Sequence, residues 1–193
     1  MSFPSEVVVY VGRVRDFDRV DWLVYASWVG LMLGLVGFTG GFVWLGHSHG
    51  VSFPAAAWLV PVGALVFSGS IAIDTIGHRT VYKPVIQRAE GLVHGITIFC
   101  GISSCVLLCA AYPMPELMWI PAMVMTVLSF VYSLVDEAMH WQRYMGEHAD
   151  RVEMWSHLGI FIGHGVMMVA WWAWFFDGYA GVSETLARAA AAS

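Results

Sequence analysis

The chain has 193 residues, of which 59% are hydrophobic and only 12% are charged. Soluble domains carry about 25% charged residues, so this composition, with a mean hydropathy of +0.68, excludes an ordinary soluble domain and indicates an integral membrane protein. The net charge of −5 and the absence of a basic block argue against binding to nucleic acid.

Five apolar segments lie between a polar N-terminal segment, residues 1–21, and a tail, residues 177–193. Each is long enough for a helix that crosses a bilayer, which takes about 20 residues. The predicted spans are residues 22–46, 54–76, 89–112, 116–139 and 154–176. The sequence therefore predicts an all-α membrane domain with five transmembrane helices, and its tail predicts a frayed helix or a disordered segment. Glycines within residues 34–41 predict close contact between helices.

Lysine and arginine residues are distributed unevenly between the two ends of these spans. Eight of the nine precede the first span or lie in the connections after spans two and four, and only Arg188 lies in the tail. Cytoplasmic connections carry an excess of basic residues. We therefore expect a cytoplasmic N-terminus in a membrane of the bacterial inner-membrane type, with the C-terminus on the opposite side.

The two basic connections repeat one pattern of ionisable residues. The first copy consists of Asp74, His78, Tyr82, Arg88, Glu90 and His94. The second copy consists of Asp136, His140, Tyr144, Arg151, Glu153 and His157, and it has one more residue between the tyrosine and the arginine. This repetition predicts two related helical hairpins, at about residues 54–112 and 116–176, with the first span added to them. In membrane proteins built from repeats, the functional site commonly lies between the halves.

Each copy holds two pairs of a carboxylate and a histidine four residues apart, and such pairs share one face of a helix. All four pairs lie near the cytoplasmic ends of their spans. An ionisable side chain buried in a membrane costs about 2.5–3.5 kcal/mol, whereas metal coordination can return about 10 kcal/mol or more. The alternative is a set of solvated interfacial residues paired with arginines, which would suffice for a single pair. Four repeated pairs favour a metal site towards the cytoplasmic side of the membrane.

The predicted ligands are the acidic and imidazole side chains of both copies, namely Asp74, His78, Glu90, His94, Asp136, His140, Glu153 and His157. Six more residues are candidates for supporting contacts to these ligands, namely Tyr82, Arg88, Glu137, Tyr144, Arg151 and His164. The arginines can instead bind carboxylates or lipid head groups, the tyrosines can anchor the interface, and His164 can be a packing residue.

These units resemble the C subunit of particulate methane monooxygenase and of its ammonia and hydrocarbon monooxygenase relatives. That family has Asp-x3-His followed by a histidine, then Asn-x3-His followed by a histidine at one residue greater spacing. The matching residues here are Asp74, His78 and His94 in the first unit, and Asp136, His140 and His157 in the second. "HRTV" (78–81) is similar to the family's His-x-Thr-Ile, and "DEAMH" (136–140) with Met145 and Glu147 is similar to its second motif.

The resemblance implies one or two copper ions held by these two triads of membrane-embedded residues. It implies a monooxygenase that uses O2 to hydroxylate a small apolar or membrane-dissolved substrate, and that works as an oligomer or in a complex with other membrane subunits. The residues themselves leave the metal open, since histidine and carboxylate also suit iron and zinc. With Glu90 and Glu153 as ligands, a di-iron site would be favoured; otherwise these glutamates would orient the imidazoles.

Three other functions are compatible with the sequence. His94 and His157 could hold a b-type haem for electron transfer, although the repeated carboxylates would then have no role. Intramembrane carboxylates and histidines also serve in transport of divalent metals or protons. A further alternative is a non-catalytic subunit whose metal is structural.

Overall fold

A computed structural model describes residues 2–81, 88–147 and 150–192, with residues 88, 89, 147 and 192 described by their backbone alone. The regular structure of this part of the chain is helical throughout. The helices are α1 (Phe3–Gly12), α2 (Arg19–Ser48), α3 (Ala55–Arg79), α4 (Arg88–Ala110), α5 (Pro115–Glu147), α6 (Arg151–Phe176) and α7 (Val182–Ala192). A short 3-10 helix, Arg13–Asp16, lies between α1 and α2.

Helices α2 to α6 are each long and apolar enough to cross a membrane, which confirms the predicted all-helical protein with five such helices. The helices extend beyond the predicted spans at the end that carries the ionisable residues. There α2 already begins at Arg19, α3 continues to Arg79 and α5 to Glu147, and α6 begins at Arg151. Hydropathy marks only the apolar part of a helix, so the predicted spans stopped short of the arginines at these helix ends.

The start of α2 shows why that helix begins before its apolar segment. The side chain of Asp18 accepts hydrogen bonds from the backbone N–H groups of Val20 and Asp21, at 2.7 and 2.8 Å. The carboxylate of Asp21 accepts in return from the backbone N–H of Asp18 at 3.3 Å. This reciprocal capping box satisfies backbone donors that a helix start would otherwise leave without partners.

The five spanning helices pack mainly in pairs. Helix α3 packs along α6, α4 packs along α5, and α2 lies against the outer side of α3. Helices α3 and α6 meet at Gly63 and Gly163. A Cβ at Gly63 would lie 2.4 Å from the backbone nitrogen of Met167, and one at Gly163 would lie 2.4 Å from that of Phe67. Only glycine permits this approach of two backbones.

The glycines of residues 34–41 make little of the contact that was predicted for them. A Cβ at Gly40 would lie 3.3 Å from the side chain of Pro61, but one at Gly34, Gly37 or Gly41 would meet nothing within 4 Å. The prediction was wrong for these three positions within this chain, because small residues permit close packing without requiring it.

The tail forms a helix, α7, where the sequence predicted either a frayed helix or disorder. Thr185 is only 1% exposed and lies against Gly46 at the end of α2. Just before α7, the hydroxyl of Tyr179 donates a hydrogen bond to the backbone oxygen of Leu108, and burial raises the pKa of this tyrosine. These buried contacts hold the tail in place, and no local sequence pattern revealed them.

Helix α1 lies at the other end of the bundle, against the end of α3 and the start of α6. Arg13 pairs with Asp150 at 3.0 Å, and Arg151 donates two hydrogen bonds to Glu6 at 2.6 and 3.0 Å. The hydrogen bond from the Arg151 guanidinium lowers the pKa of Glu6. Buried Tyr10 packs with residues of α3 and α6, so α1 is tied to the helix ends that carry the ionisable residues.

The glycine contact between α3 and α6 yields a prediction with a matched control. Gly163→Ala should lower the free energy of unfolding by about 1–3 kcal/mol, because its Cβ would meet backbone atoms of α3. Gly165→Ala, two residues along the same helix, should be neutral or slightly stabilising, because its Cβ meets nothing within 4 Å. Thermal unfolding of both variants in one detergent measures the difference. Equal unfolding midpoints would contradict the close crossing.

Candidate metal centre

Four helices bring the eight predicted ligands to one end of the bundle, where α3 and α5 approach their ends and α4 and α6 begin. This arrangement follows from the alternating direction of consecutive spans. His78 and His94 are partly buried. The other six are buried, namely Asp74, Glu90, Asp136, His140, Glu153 and His157. The predicted ligands therefore form one buried cluster.

The four imidazoles of this cluster surround a common space. The ring centroids of His140 and His157 are 3.5 Å apart, and those of His78 and His94 are 4.9 Å apart. His140 lies 5.8 Å from both His78 and His94. Each ring therefore lies near rings from the other helices.

The two aspartates pair across the predicted units rather than within them. Asp74 Oδ1 lies 3.0 Å from Nε2 of His157, and Asp136 Oδ1 lies 2.9 Å from Nδ1 of His94. The pairing follows from the packing of α3 on α6 and of α4 on α5. Asp74 also approaches His78 of its own helix, with 3.4 Å between Oδ2 and Nε2.

The two glutamates are held by Arg143, a residue of α5. Its guanidinium donates to both oxygens of Glu90 at 2.8 and 3.0 Å, and to Oε1 of Glu153 at 2.7 Å. Glu153 Oε1 and Arg143 Nη2 both lie against Nδ1 of His140, at 3.1 and 2.6 Å. Nε2 of His140 lies 3.7 Å from both Asp136 Oδ1 and Glu90 Oε1. This geometry favours Glu153 as a group that orients His140 over its use as a direct ligand.

Sequence analysis did not include Arg143 among the site residues. It has no counterpart in the first copy, where the equivalent position is Val81. The signal that could have revealed it is its spacing of three residues from His140, which places both on one face of α5.

Buried donor atoms of the cluster test whether these residues fit a metal. Asp74 Oδ1 and His157 Nε2 have each other as a partner, at 3.0 Å. His140 Nε2 is buried and has no hydrogen-bond partner within the described part of the chain, with Asp136 Oδ1 and Glu90 Oε1 both 3.7 Å away. A buried polar atom without a partner costs about 1–3 kcal/mol. An ion bound by the lone pair of this nitrogen would remove that cost. Histidine nitrogens with carboxylate oxygens form a donor set that suits copper, iron or zinc, so the residues present fit such an ion.

Three sets of residues offer ligand atoms that all lie within 4.8 Å of one another. These sets are Asp74 with His78 and His157, Asp136 with His140 and His157, and His78 with His94 and His140. The second set is one of the two triads that the family resemblance implies. In the first set His157 takes the place expected for His94, because α3 packs on α6. His157 is common to two sets, which would place two ions close together.

The remaining candidates divide between the cluster and its surroundings. Glu137 Oε2 lies 3.6 Å from Nδ1 of His157, so it can support that ligand. Arg151 binds Glu6. Tyr144 is partly buried beside Trp141, with the ring centroids 5.9 Å apart. Tyr82 and the side chain of Arg88 lie outside the described residues.

His164 is buried on α6, further along the helix than His157 of the cluster. Its ring stacks on that of Phe130, with the centroids 4.6 Å apart, and its Nε2 lies 3.4 Å from the hydroxyl of Ser129. It belongs to none of the three ligand sets. The structure therefore favours a packing role for His164, beside a cavity that it helps to line.

Comparisons with protein-family models, curated proteins and solved structures gave no match to this chain. The resemblance to the copper monooxygenase subunit therefore remains a prediction from the motifs of the two units. The geometry of the cluster stands independently of that resemblance.

Arg143 should contribute strongly to stability because it neutralises two buried glutamates. Arg143→Met should lower the free energy of unfolding by about 3–5 kcal/mol, since it leaves uncompensated charge in a buried site. Arg188→Met removes an exposed pair with Glu184 and should cost at most about 1 kcal/mol. Denaturant unfolding in one detergent compares the two variants. Similar losses would show that Arg143 does not neutralise this cluster.

Proposed function

We propose that this chain is a metal-dependent membrane monooxygenase, or the metal-binding subunit of one. One observation carries the proposal. Four histidines and two aspartates from four helices form three sets, each with its ligand atoms within 4.8 Å of one another, and buried His140 Nε2 has no hydrogen-bond partner among the described residues. A bound cation would offset the cost of burying such a cluster in an apolar bundle.

The residues proposed to hold one or two ions are the two aspartates and four histidines of the cluster, namely Asp74, His78, His94, Asp136, His140 and His157. Copper is favoured by the family resemblance, with iron as an alternative. Zinc also fits the donor set, but it has no redox chemistry and would make the site structural or hydrolytic. Bound copper or iron would supply O2 activation, with one oxygen atom inserted into a C–H bond and the other released as water, using two electrons and two protons from a quinol.

The surrounding residues of the chain fix the site and keep it dry. Glu153 and Arg143 hold His140, and Glu137 lies against His157. The walls next to the cluster are apolar side chains of α2 and α4, which exclude water from the position of the substrate. Excluding water strengthens electrostatic interactions and protects reactive species from side reactions.

We also infer that the two units form related halves with the site between them. The support is the correspondence of contacts. Asp74 pairs with His157, and Asp136 pairs with His94, so exchanging the two units exchanges these pairs. Exchanging the two units also exchanges the packing of α3 on α6 with the packing of α4 on α5. With the basic residues at this end, the positive-inside rule orients the cluster towards the cytoplasm.

A b-type haem is the main alternative for paired histidines. The centroids of His94 and His157 are 6.3 Å apart, so a plane between them is conceivable. However, Asp136 binds His94, and the ring of His140 lies 3.5 Å from that of His157. These groups occupy the sides of the space that a porphyrin would need.

Transport of metals or protons is the other alternative. The cluster lies at one end of the bundle, whereas transport sites commonly lie near the membrane midplane.

Metal content of the purified protein tests the proposed centre. Wild type should retain one or two copper or iron ions per chain after a brief chelator wash, and His140→Ala and His78→Ala should each lower metal retention at least tenfold. His164→Ala serves as the matched control because it removes a buried histidine that belongs to no ligand set. Elemental analysis and electron paramagnetic resonance provide the measurement. Wild type without stoichiometric metal, or equal retention in all three variants, would contradict the centre.

Activity provides a separate test in vesicles that contain the metal-loaded chain, a quinol and 1-dodecanol under 18O2. A monooxygenase should yield a product with one additional oxygen atom that carries the label, with release of labelled water. The His140→Ala variant should form less than a tenth of this product, because it lacks a central ligand. Mass spectrometry of the lipid extract measures the label. Product whose added oxygen comes from water would contradict O2 activation.

A further inference from the structure

A large apolar cavity opens from the metal cluster along the bundle. It has a volume of about 1070 Å³ and occupies the space between α2 and α4, with α3 behind it. Leu31 and Phe38 of α2 and Val106 of α4 line it, and these three side chains are more than half exposed. A membrane would surround this opening with lipid chains, so the cavity, which we call the slot, connects the lipid phase with the cluster.

The slot is somewhat deeper than one leaflet of a bilayer. Along α4 it runs from His94 to Val106, along α3 from Arg79 to Phe67, and along α2 from Leu23 to Phe38. These distances cover twelve to fifteen residues, or about 18–22 Å at 1.5 Å per residue. One leaflet contributes about 15 Å of the ~30 Å hydrocarbon core. The slot therefore extends over more than one leaflet, starting at the helix ends that carry the cluster.

The volume of the slot suits a long-chain ligand. At about 1070 Å³ it reaches the upper end of the range for pockets that hold drug-sized ligands, about 300–1,000 Å³. A gas-sized substrate would leave most of it unfilled.

The end of the slot at the cluster is polar, unlike its walls. The polar and charged side chains that line this end are Asp74, His78, Arg79, His94, Asp136, Glu137 and His157. Asp74 and His157 are 5% and 3% exposed and pair with each other, with 3.0 Å between Oδ1 and Nε2. A ligand suited to the slot therefore combines an apolar chain with an oxygen-bearing head group at the cluster, because an apolar group there would keep water from these side chains without offering them a hydrogen bond.

We propose that the slot binds an amphipathic long-chain lipid, with its hydroxyl or carbonyl head group at the Asp–His cluster and its alkyl chain along α2 and α4. This inference names the substrate class of the proposed function. The oxidation of the lipid rests on that proposed function, whereas the binding of the lipid does not. The carbons next to the head group lie nearest the cluster in this arrangement. Oxidation would therefore occur at the head-group end of the chain rather than at the terminal methyl.

Binding is tested with 11-bromo-1-undecanol, whose bromine quenches tryptophan fluorescence. Trp28 lines the slot, so the quenching that is lost in Trp28→Phe reports on occupancy. The full chain is placed in nanodiscs, both chelator-washed and metal-loaded. In wild type the quenching that depends on Trp28 should saturate as the mole fraction of the probe rises. Added 1-dodecanol should displace the probe at least fivefold better than dodecane or 1-hexanol.

Substitutions that fill the slot provide the matched comparison. Gly34→Leu and Gly101→Leu add bulk to its two walls, where a Cβ meets nothing within 4 Å. Gly37→Leu is the control, because Gly37 lies one turn from Gly34 on α2 and does not line the slot. The first two variants should raise the half-saturating mole fraction at least fivefold while retaining wild-type metal content. The control should match wild type.

The outcomes separate this inference from the proposed function. General contact with lipid, or a slot covered by a partner protein, would give quenching that rises linearly and equally in wild type and in the slot-filled variants. That result would overturn the lipid site even if the metal is present. Equal competition by dodecane and 1-dodecanol would overturn the role of the head group. Saturable, slot-dependent binding in a protein that retains no metal would support the lipid site and reject the metal centre.

Discussion

The burial of acidic and imidazole groups at one end of an apolar bundle is the constraint on which the rest of this structure depends. Each such group costs free energy when it leaves water, so the helices must bring partners to it. Arg143 does this for Glu90 and Glu153, and the aspartates and histidines approach one another in cross-helix pairs. His140 Nε2 is left without a hydrogen bond among the described residues, and the cation that we propose would bind there.

Helix packing decides which residues share this site. Because α3 packs on α6, and α4 on α5, the first half supplies Asp74 to a histidine of the second half, and the second half supplies Asp136 to a histidine of the first. The approach of α3 and α6 at Gly63 and Gly163 brings the two helices close enough for this exchange. A packing contact within the helices thus supports the cluster at their ends.

The slot leaves one side of the cluster open, which bears on the metal centre that we propose. Structural metal sites are commonly enclosed by their ligands, whereas a catalytic site keeps a position open for substrate. The slot runs between α2 and α4. In a membrane this opening would face hydrocarbon, so the proposed substrate would reach the cluster from within the membrane, between apolar walls that keep bulk water away.

The sequence by itself determined the helical class, the five spans and the eight residues of the cluster, because hydropathy and i to i+4 spacing are local properties of the chain. Tertiary structure decided the rest. The replacement of His94 by His157 beside Asp74, the role of Arg143 between the glutamates, the burial of Thr185 and the slot all depend on which helices pack together. Such contacts join residues far apart in the chain, and no local pattern encodes them.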